Sequence, residues 1–174
     1  VLMNGRPLTL TWEDKNLDAI LEAWYGGTKA GGAIVDVLFG DVNPSAKLTM
    51  SFPRSEGQIP IYYNAKSTGR PLVPGEKYHS QYLDVSNDPL YPFGYGLSYT
   101  DFKYSDVALN KSTLAPGEKL TVTATVSNTG KVAGIETVQL YIRDLVGSIT
   151  RPVKELKGFR RIELAPGESK VVSF

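Results

Sequence analysis

The chain has 174 residues, 41% of them apolar and 21% charged, and a formal net charge of +1. That length buries a sizeable core and falls between one domain and two, and the even mixing of acids and bases argues against nucleic acid as a partner. With no cysteine and one histidine, His79, disulfides and thiolate metal sites are excluded and a zinc centre built on histidines lacks ligands.

Val1-Leu2-Met3 is an apolar run followed by the turn residues Asn4-Gly5-Arg6-Pro7. It reads as the end of a buried strand whose beginning lies upstream. Residues 1 to about 54 read as β-α-β-α-β. Asp18–Trp24 is an apolar segment of strand length before Gly26-Gly27, with a short helix the alternative that pattern alone leaves open. Thr28–Phe39 carries Ala30, Ala33, Ile34, Val37 and Leu38 at helical spacing, and Gly40 stands where a left-handed C-cap residue is usual. After the turn Asn43-Pro44-Ser45, Lys47–Phe52 is expected as a third strand. Strands alternating with helices predict a parallel sheet covered on both faces.

Residues 55 to about 100 change character. Pro60, Pro71, Pro74, Pro89 and Pro92 interrupt regular structure and tyrosines become dense, which predicts a long ordered connector or a lid. Residues 101–174 change again, to short alternating strands. Leu120, Val122, Ala124 and Val126 share one face and Thr121, Thr123 and Thr125 the other. Asn128-Thr129-Gly130 signals a turn and Thr137–Arg143 another strand. About five strands at this spacing predict an antiparallel sandwich, short of the seven an immunoglobulin-like one needs. LAPGE occurs at Leu114–Glu118 and again at Leu164–Glu168, as one turn used twice. Val171-Val172-Ser173-Phe174 opens a strand with nothing after it, so both ends are expected to be cuts.

Candidate chemistry is sparse. Gly26-Gly27-Thr28-Lys29-Ala30-Gly31-Gly32 lies at a strand-to-helix junction, yet has the spacing of neither a P-loop nor a dinucleotide fingerprint. Tight packing of helix on sheet is the expectation there. Glu13, Asp14, Asp18, Glu22, Asp36 and Asp41 fall on helix faces and turns, and nothing in their spacing brings two to one substrate. No Gly-x-Ser-x-Gly occurs, and His79 is expected in a surface turn. Tyr62, Tyr63, Tyr78, Tyr82, Tyr91, Phe93, Tyr95 and Tyr99 form an aromatic cluster. It is expected to pack between the two domains with its hydroxyls on backbone, the stretch 61–82 being the best exception, placed over a pocket.

Several strings, in order along nearly the whole chain, resemble the family-3 glycoside hydrolases, most closely their periplasmic broad-specificity β-glucosidases. They are VLMNGRPL (Val1–Leu8), DAILEAW (Asp18–Trp24), GGAIVDVLFGDVNPSAKL (Gly31–Leu48), SFPRSEGQIPIYYN (Ser51–Asn64), TGRP (Thr68–Pro71), LYPFGYGLSYTDF (Leu90–Phe102), NTG (Asn128–Gly130) and RPVKELKGFRRIELAPGES (Arg151–Ser169). The resemblance implies an α/β plus all-β chain. Residues 1–54 would be the C-terminal portion of an α/β sandwich domain with a parallel sheet, 55–100 an aromatic-rich connector, and 101–174 a fibronectin III-like (immunoglobulin-like) sandwich, incomplete at both ends. It also implies a parent that hydrolyses terminal β-glucosidic bonds of oligosaccharides or aryl β-glucosides with retention, in the periplasm or secreted. Its nucleophilic aspartate and acid/base glutamate would lie upstream of Val1, on a missing barrel domain and the preceding part of the α/β domain. No catalytic, cofactor-binding or metal residue is therefore assigned here, no membrane or nucleic-acid partner is expected, and homo-oligomerisation is left open. Lys29, Ala46, Thr49 and Gln81 depart from the family's usual residues and bear on fine specificity. The alternative is a stand-alone module that binds carbohydrate or another protein.

Overall fold

The computed structural model describes residues 1–174. In chain order the elements are helix α1 (Thr11–Asn16), helix α2 (Ala30–Leu38), a 3-10 turn (Glu56–Gln58), and strands β1 (Phe102–Leu109), β2 (Val122–Asn128), β3 (Gly134–Ile142), β4 (Glu155–Leu164) and β5 (Ser169–Ser173). The chain divides into two compact units that interleave along the sequence. One holds Val1–Val35, Lys47–Tyr95 and Tyr141–Glu155, the other Asp36–Ala46, Gly96–Leu140 and Leu156–Phe174.

In the first unit, Leu2 and Glu22 form a parallel bridge. Leu2 N–H donates to Leu21 O, and Ala23 N–H to Leu2 O. Asp18–Trp24 is thus paired in parallel at Glu22, and the pairing stops before Trp24, whose φ is +49°. α1 carries Glu13 and Asp14 in its first turn and Lys15 in its last, a distribution the helix dipole favours. Thr11 Oγ1 donates to Arg54 O at 2.8 Å and anchors it. Gly26 lies so close to Ala30 that a Cβ would overlap that side chain, whereas Gly27, Gly31 and Gly32 face open space. Gly26 meets only the first residue of the following helix, so the packing of helix on sheet expected of the glycine-rich junction is not seen at its glycines.

The expectation for Lys47–Phe52 needs correcting. This segment does not join the parallel pair. It runs antiparallel to residues 90–95, with Phe52 bridged to Tyr91, Leu48 N–H bonded to Tyr95 O and Gly94 N–H to Leu48 O, both at 2.7 Å. The connector turns back and satisfies this edge itself, a partner that hydrophobic periodicity cannot reveal. Phe52 is 1% exposed, with the rings of Trp24 and Tyr91 at 5.8 and 6.3 Å.

In the second unit, Gly40 follows α2 with φ +83°, the left-handed C-cap expected of it. β1, β2 and β5 form one antiparallel sheet in the order β1-β2-β5, and β3 pairs with β4 in another. The five strands match the number read from the pattern. Inward residues of both sheets (Val126, Val138, Leu164 and Val172) make the core, with Phe102, Ile162 and Phe174 packed against it, as where two sheets share one core. Register shifts between Ser105 and Ala108, where Asp106 has φ +51°, so β1 is bulged. Tyr104 donates to the buried Glu136 at 2.8 Å. Burial, then that bond and charge, hold the phenol well above its usual range.

The two LAPGE turns share one construction. In each, proline precedes a glycine at positive φ (Gly117 +84°, Gly167 +77°), and the glutamate N–H closes the turn onto the alanine carbonyl (Glu118 to Ala115, Glu168 to Ala165). The glutamate side chain then accepts from the same alanine's N–H, at 3.1 Å for Glu118 and 2.8 Å for Glu168. That backbone bond first, and then Lys111 or Lys170, lowers both carboxyl pKa values below the usual 4.5. A carboxyl depressed in the folded state adds stability that is present above about pH 4.5 and is lost as pH falls through the folded value. A Glu118→Gln, Glu168→Gln double variant should therefore lose less melting temperature between pH 5 and 3 than the unmodified chain. Parallel losses would show that the carboxylates contribute nothing.

Candidate functional site

The first unit contains a cleft of about 440 Å³ lined by Ser51, Ile61, Tyr62, Tyr63, Asn87, Asp88, Pro89, Val153 and Lys154. Ser51 and three stretches, 61–63, 87–89 and 153–154, build it, and the three stretches are fixed by backbone or buried polar groups. Gln58, 1% exposed, accepts from Arg54 N–H at 2.6 Å and donates to Ser86 O at 2.7 Å and Asp88 O at 3.3 Å, so the turn beginning at Ser55 is locked to the 86–88 stretch. Asn87 accepts from Tyr82 N–H and donates to Ser80 O. Val153 N–H donates to Ala65 O, and Lys66 bridges Pro152, which holds the third stretch against the first.

Aromatic rings support the cleft. Tyr63 stacks on Phe93 at 4.0 Å and 11°, and Tyr141 meets both edge-on at 6.2 and 6.5 Å. The Lys154 ammonium lies 5.1 Å from the Tyr141 ring centroid, a cation–π distance. Burial, and then the neighbouring Tyr63, raises the Tyr141 phenol above its ordinary range. Tyr62 is 66% exposed. Tyr63 and Phe93 thus pack on one another within the first unit, while Tyr62 presents its ring to solvent in the stretch singled out as the exception. Elsewhere Tyr91 donates to Asp14 at 2.6 Å and stacks on Tyr95, and Tyr99 donates to Val37 O.

The acids are dispersed. Asp14 serves Tyr91, whose phenol is raised first by burial and then by that carboxylate. Glu22 accepts from Trp24 N–H through Oε1, and its Oε2 is buried with no partner. Glu13 sits in the first turn of α1, Asp18 is exposed beyond it, and Asp36 and Asp41 are exposed around the end of α2. His79 lies in a turn-rich loop, Nδ1–H donating to Pro71 O at 2.6 Å and Nε2 3.2 Å from Glu76. Asp14, Glu22 and His79 thus have local structural partners. Sequence reading overlooked Gln58, Asp88, Val153 and Lys154. The only signal for Lys154 was its place in the RPVKELKGF string, which says nothing about Tyr62.

Residues 1–99 match the Glycosyl hydrolase family 3 C-terminal domain. The chain belongs to glycosyl hydrolase family 3. Residues 136–174 of this family-3 chain match the Fibronectin type III-like domain. The chain is 58% identical to the Periplasmic beta-glucosidase of Salmonella typhimurium over 176 residues, covering 100% of itself and 23% of that protein. It is 51% identical to the Beta-xylosidase of Formosa agariphila, again over 100% of itself and 23% of the relative. The crystal structure of beta-glucosidase from Listeria innocua in complex with isofagomine superposes with a TM-score of 0.93 at 49% identity, covering 99% of this chain and 24% of that one. The chain thus spans about a quarter of the length of the relatives it matches, and no helix in it is long and apolar enough to cross a membrane.

Proposed function

We propose that this family-3 chain is the C-terminal part of a β-glucosidase that hydrolyses terminal β-D-glucosidic bonds with retention, and that the chain by itself is not catalytic. The observation that supports this is the 58% identity with a protein named a periplasmic β-glucosidase, over all of this chain and 23% of that protein. Retention needs two carboxyl groups roughly 5–5.5 Å apart, one nucleophilic and one acid/base. Four of the carboxylates are instead engaged elsewhere, Asp14 on a phenol, Glu22 on a backbone amide, and Glu118 and Glu168 in turn closures. The nucleophilic aspartate and acid/base glutamate then lie upstream of Val1, on a barrel domain and the earlier part of an α/β domain. Residues 1–54 end that α/β domain, 55–100 connect, and 101–174 form the fibronectin III-like domain. The substrate is an oligosaccharide or aryl β-glucoside, and the parent acts in the periplasm or outside the cell.

Hydrolysis of an aryl β-glucoside tests this, with the 174-residue chain compared to the longer protein that includes its upstream sequence. The longer protein should turn over and the short chain should not. Turnover that follows the short chain through purification would place a catalytic pair within it. Inactivity of the longer protein on glucosides, with activity on xylosides, would move the reading toward the β-xylosidase relative.

A further inference from the structure

We propose that the cleft of the first unit is a binding site for a neutral pyranoside, whose C–H face lies on Tyr62 and whose hydroxyls are shared between the Asp88 carboxylate and the Lys154 ammonium. A cavity of about 440 Å³ falls within the roughly 300–1,000 Å³ of small-molecule sites. Tyr62, 66% exposed, offers a rigid ring at little entropic cost, and an aromatic face suits the apolar C–H side of a sugar.

The polar groups are held ready. The backbone of Asp88 is occupied, its carbonyl by Arg54 Nε and Gln58 Nε2 and its N–H by Ser86 Oγ. Its carboxylate carries a single long contact of 3.5 Å from Ser86 Oγ and keeps accepting capacity. Lys154 is set over Tyr141 and has N–H donors beyond that contact. One carboxylate and one ammonium leave the cleft without net charge, so an anion meets Asp88 and a cation meets Lys154. A polyol, donating to one and accepting from the other, satisfies both. The chemical rival is a free amino acid, which could pair its two charges with the same two groups.

Titration of the 174-residue chain with methyl β-D-glucopyranoside and cellobiose, followed by NMR, tests the site. Saturable binding is expected, weakened about tenfold in Tyr62→Ala, the upper range for an aromatic contact. Binding should be retained in Tyr62→Phe, which keeps the ring, and weakened several-fold in Asp88→Asn. Tyr78→Asn should bind like the unmodified chain. Tyr78 is 83% exposed and outside the cleft, and asparagine tolerates its φ of +67°. Absence of saturable sugar binding, equal weakening in Tyr78→Asn, or tighter binding of glycine than of glucoside would overturn the proposal. Turnover plays no part in this readout, so the site and the proposed hydrolysis fail separately.

Discussion

Replacing Asn128 by alanine is expected to destabilise the β-sandwich by about 3–4 kcal/mol, the cost of stranding several buried polar groups at once. Asn128 is 1% exposed and its amide is fully used. Nδ2 donates to Val132 O at 2.8 Å and Leu164 O at 3.0 Å, while Oδ1 accepts from Thr100 Oγ1 at 2.7 Å and Gly130 N–H at 3.0 Å. The side chain thereby ties the end of β2 to the entry of β1, to the turn before β3 and to the last residue of β4. Gly130 belongs to the same arrangement, because a Cβ there would run into Thr100 and lie 2.8 Å from Asp101 N. Asn128→Asp should cost more than alanine at neutral pH, since a carboxylate oxygen would face two carbonyls that now receive N–H donors. Urea unfolding monitored by circular dichroism reads the effect as a lower midpoint at unchanged slope. A loss for Asn128→Ala below about 1 kcal/mol, the net worth of one ordinary hydrogen bond, would mean that water replaces the amide and that the network is not structural.

Gln58→Ala is expected to cost about 3 kcal/mol by the same physics, and to act on the candidate site as well. Its Oε1 caps the N–H groups of Arg54 and Ser55, at 2.6 and 3.4 Å, and its Nε2 holds the carbonyls of Ser86 and Asp88. Removing it frees the backbone beneath Asp88, leaving Arg54 Nε at 3.2 Å as the remaining donor to that carbonyl. Hydrogen exchange at the Arg54 amide should accelerate, and sugar binding in the cleft should weaken even under conditions where the variant remains folded. Gln58→Glu keeps the acceptor but loses the donor, so it should preserve protection at Arg54 while weakening the hold on Asp88. Glu56→Ala, exposed in the same turn, is the control and should stay within about 0.5 kcal/mol. Unchanged exchange at Arg54 in Gln58→Ala would remove Gln58 from the support of the cleft.

Much of the local structure was legible in the residues. The helical spacing over Thr28–Phe39 corresponds to α2 at Ala30–Leu38, and Gly40 caps it at positive φ. The two LAPGE strings form matching turns because proline and a left-handed glycine dictate the same backbone wherever they occur together. Of the five strands after Asp101, alternation and turn residues placed β2, β3 and β5, and the spacing gave the number. The family resemblance rested on strings, and residues 1–99 and 136–174 match the corresponding domains. The buried amides were not legible. Asn128 sits inside a turn signal, Asn128-Thr129-Gly130, and Gln58 in a polar stretch; both types are usually exposed, and only their surroundings make them plugs.

Sequence by itself determined what depends on near neighbours: where the LAPGE turns and the end of α2 fall, and which face of β2 carries Val126 to the core. It also excluded thiolate metal chemistry, because that depends on inventory alone. Only the tertiary structure decided partners across long separations. Lys47–Phe52 pairs with 90–95 rather than with the parallel strands, and Lys154 comes to the cleft that Tyr62 and Asp88 line. Hydrophobic period and turn chemistry record how a segment folds on itself. They carry no record of which distant edge satisfies its N–H and C=O groups, since many edges offer the same donors and acceptors and packing of the whole unit selects among them.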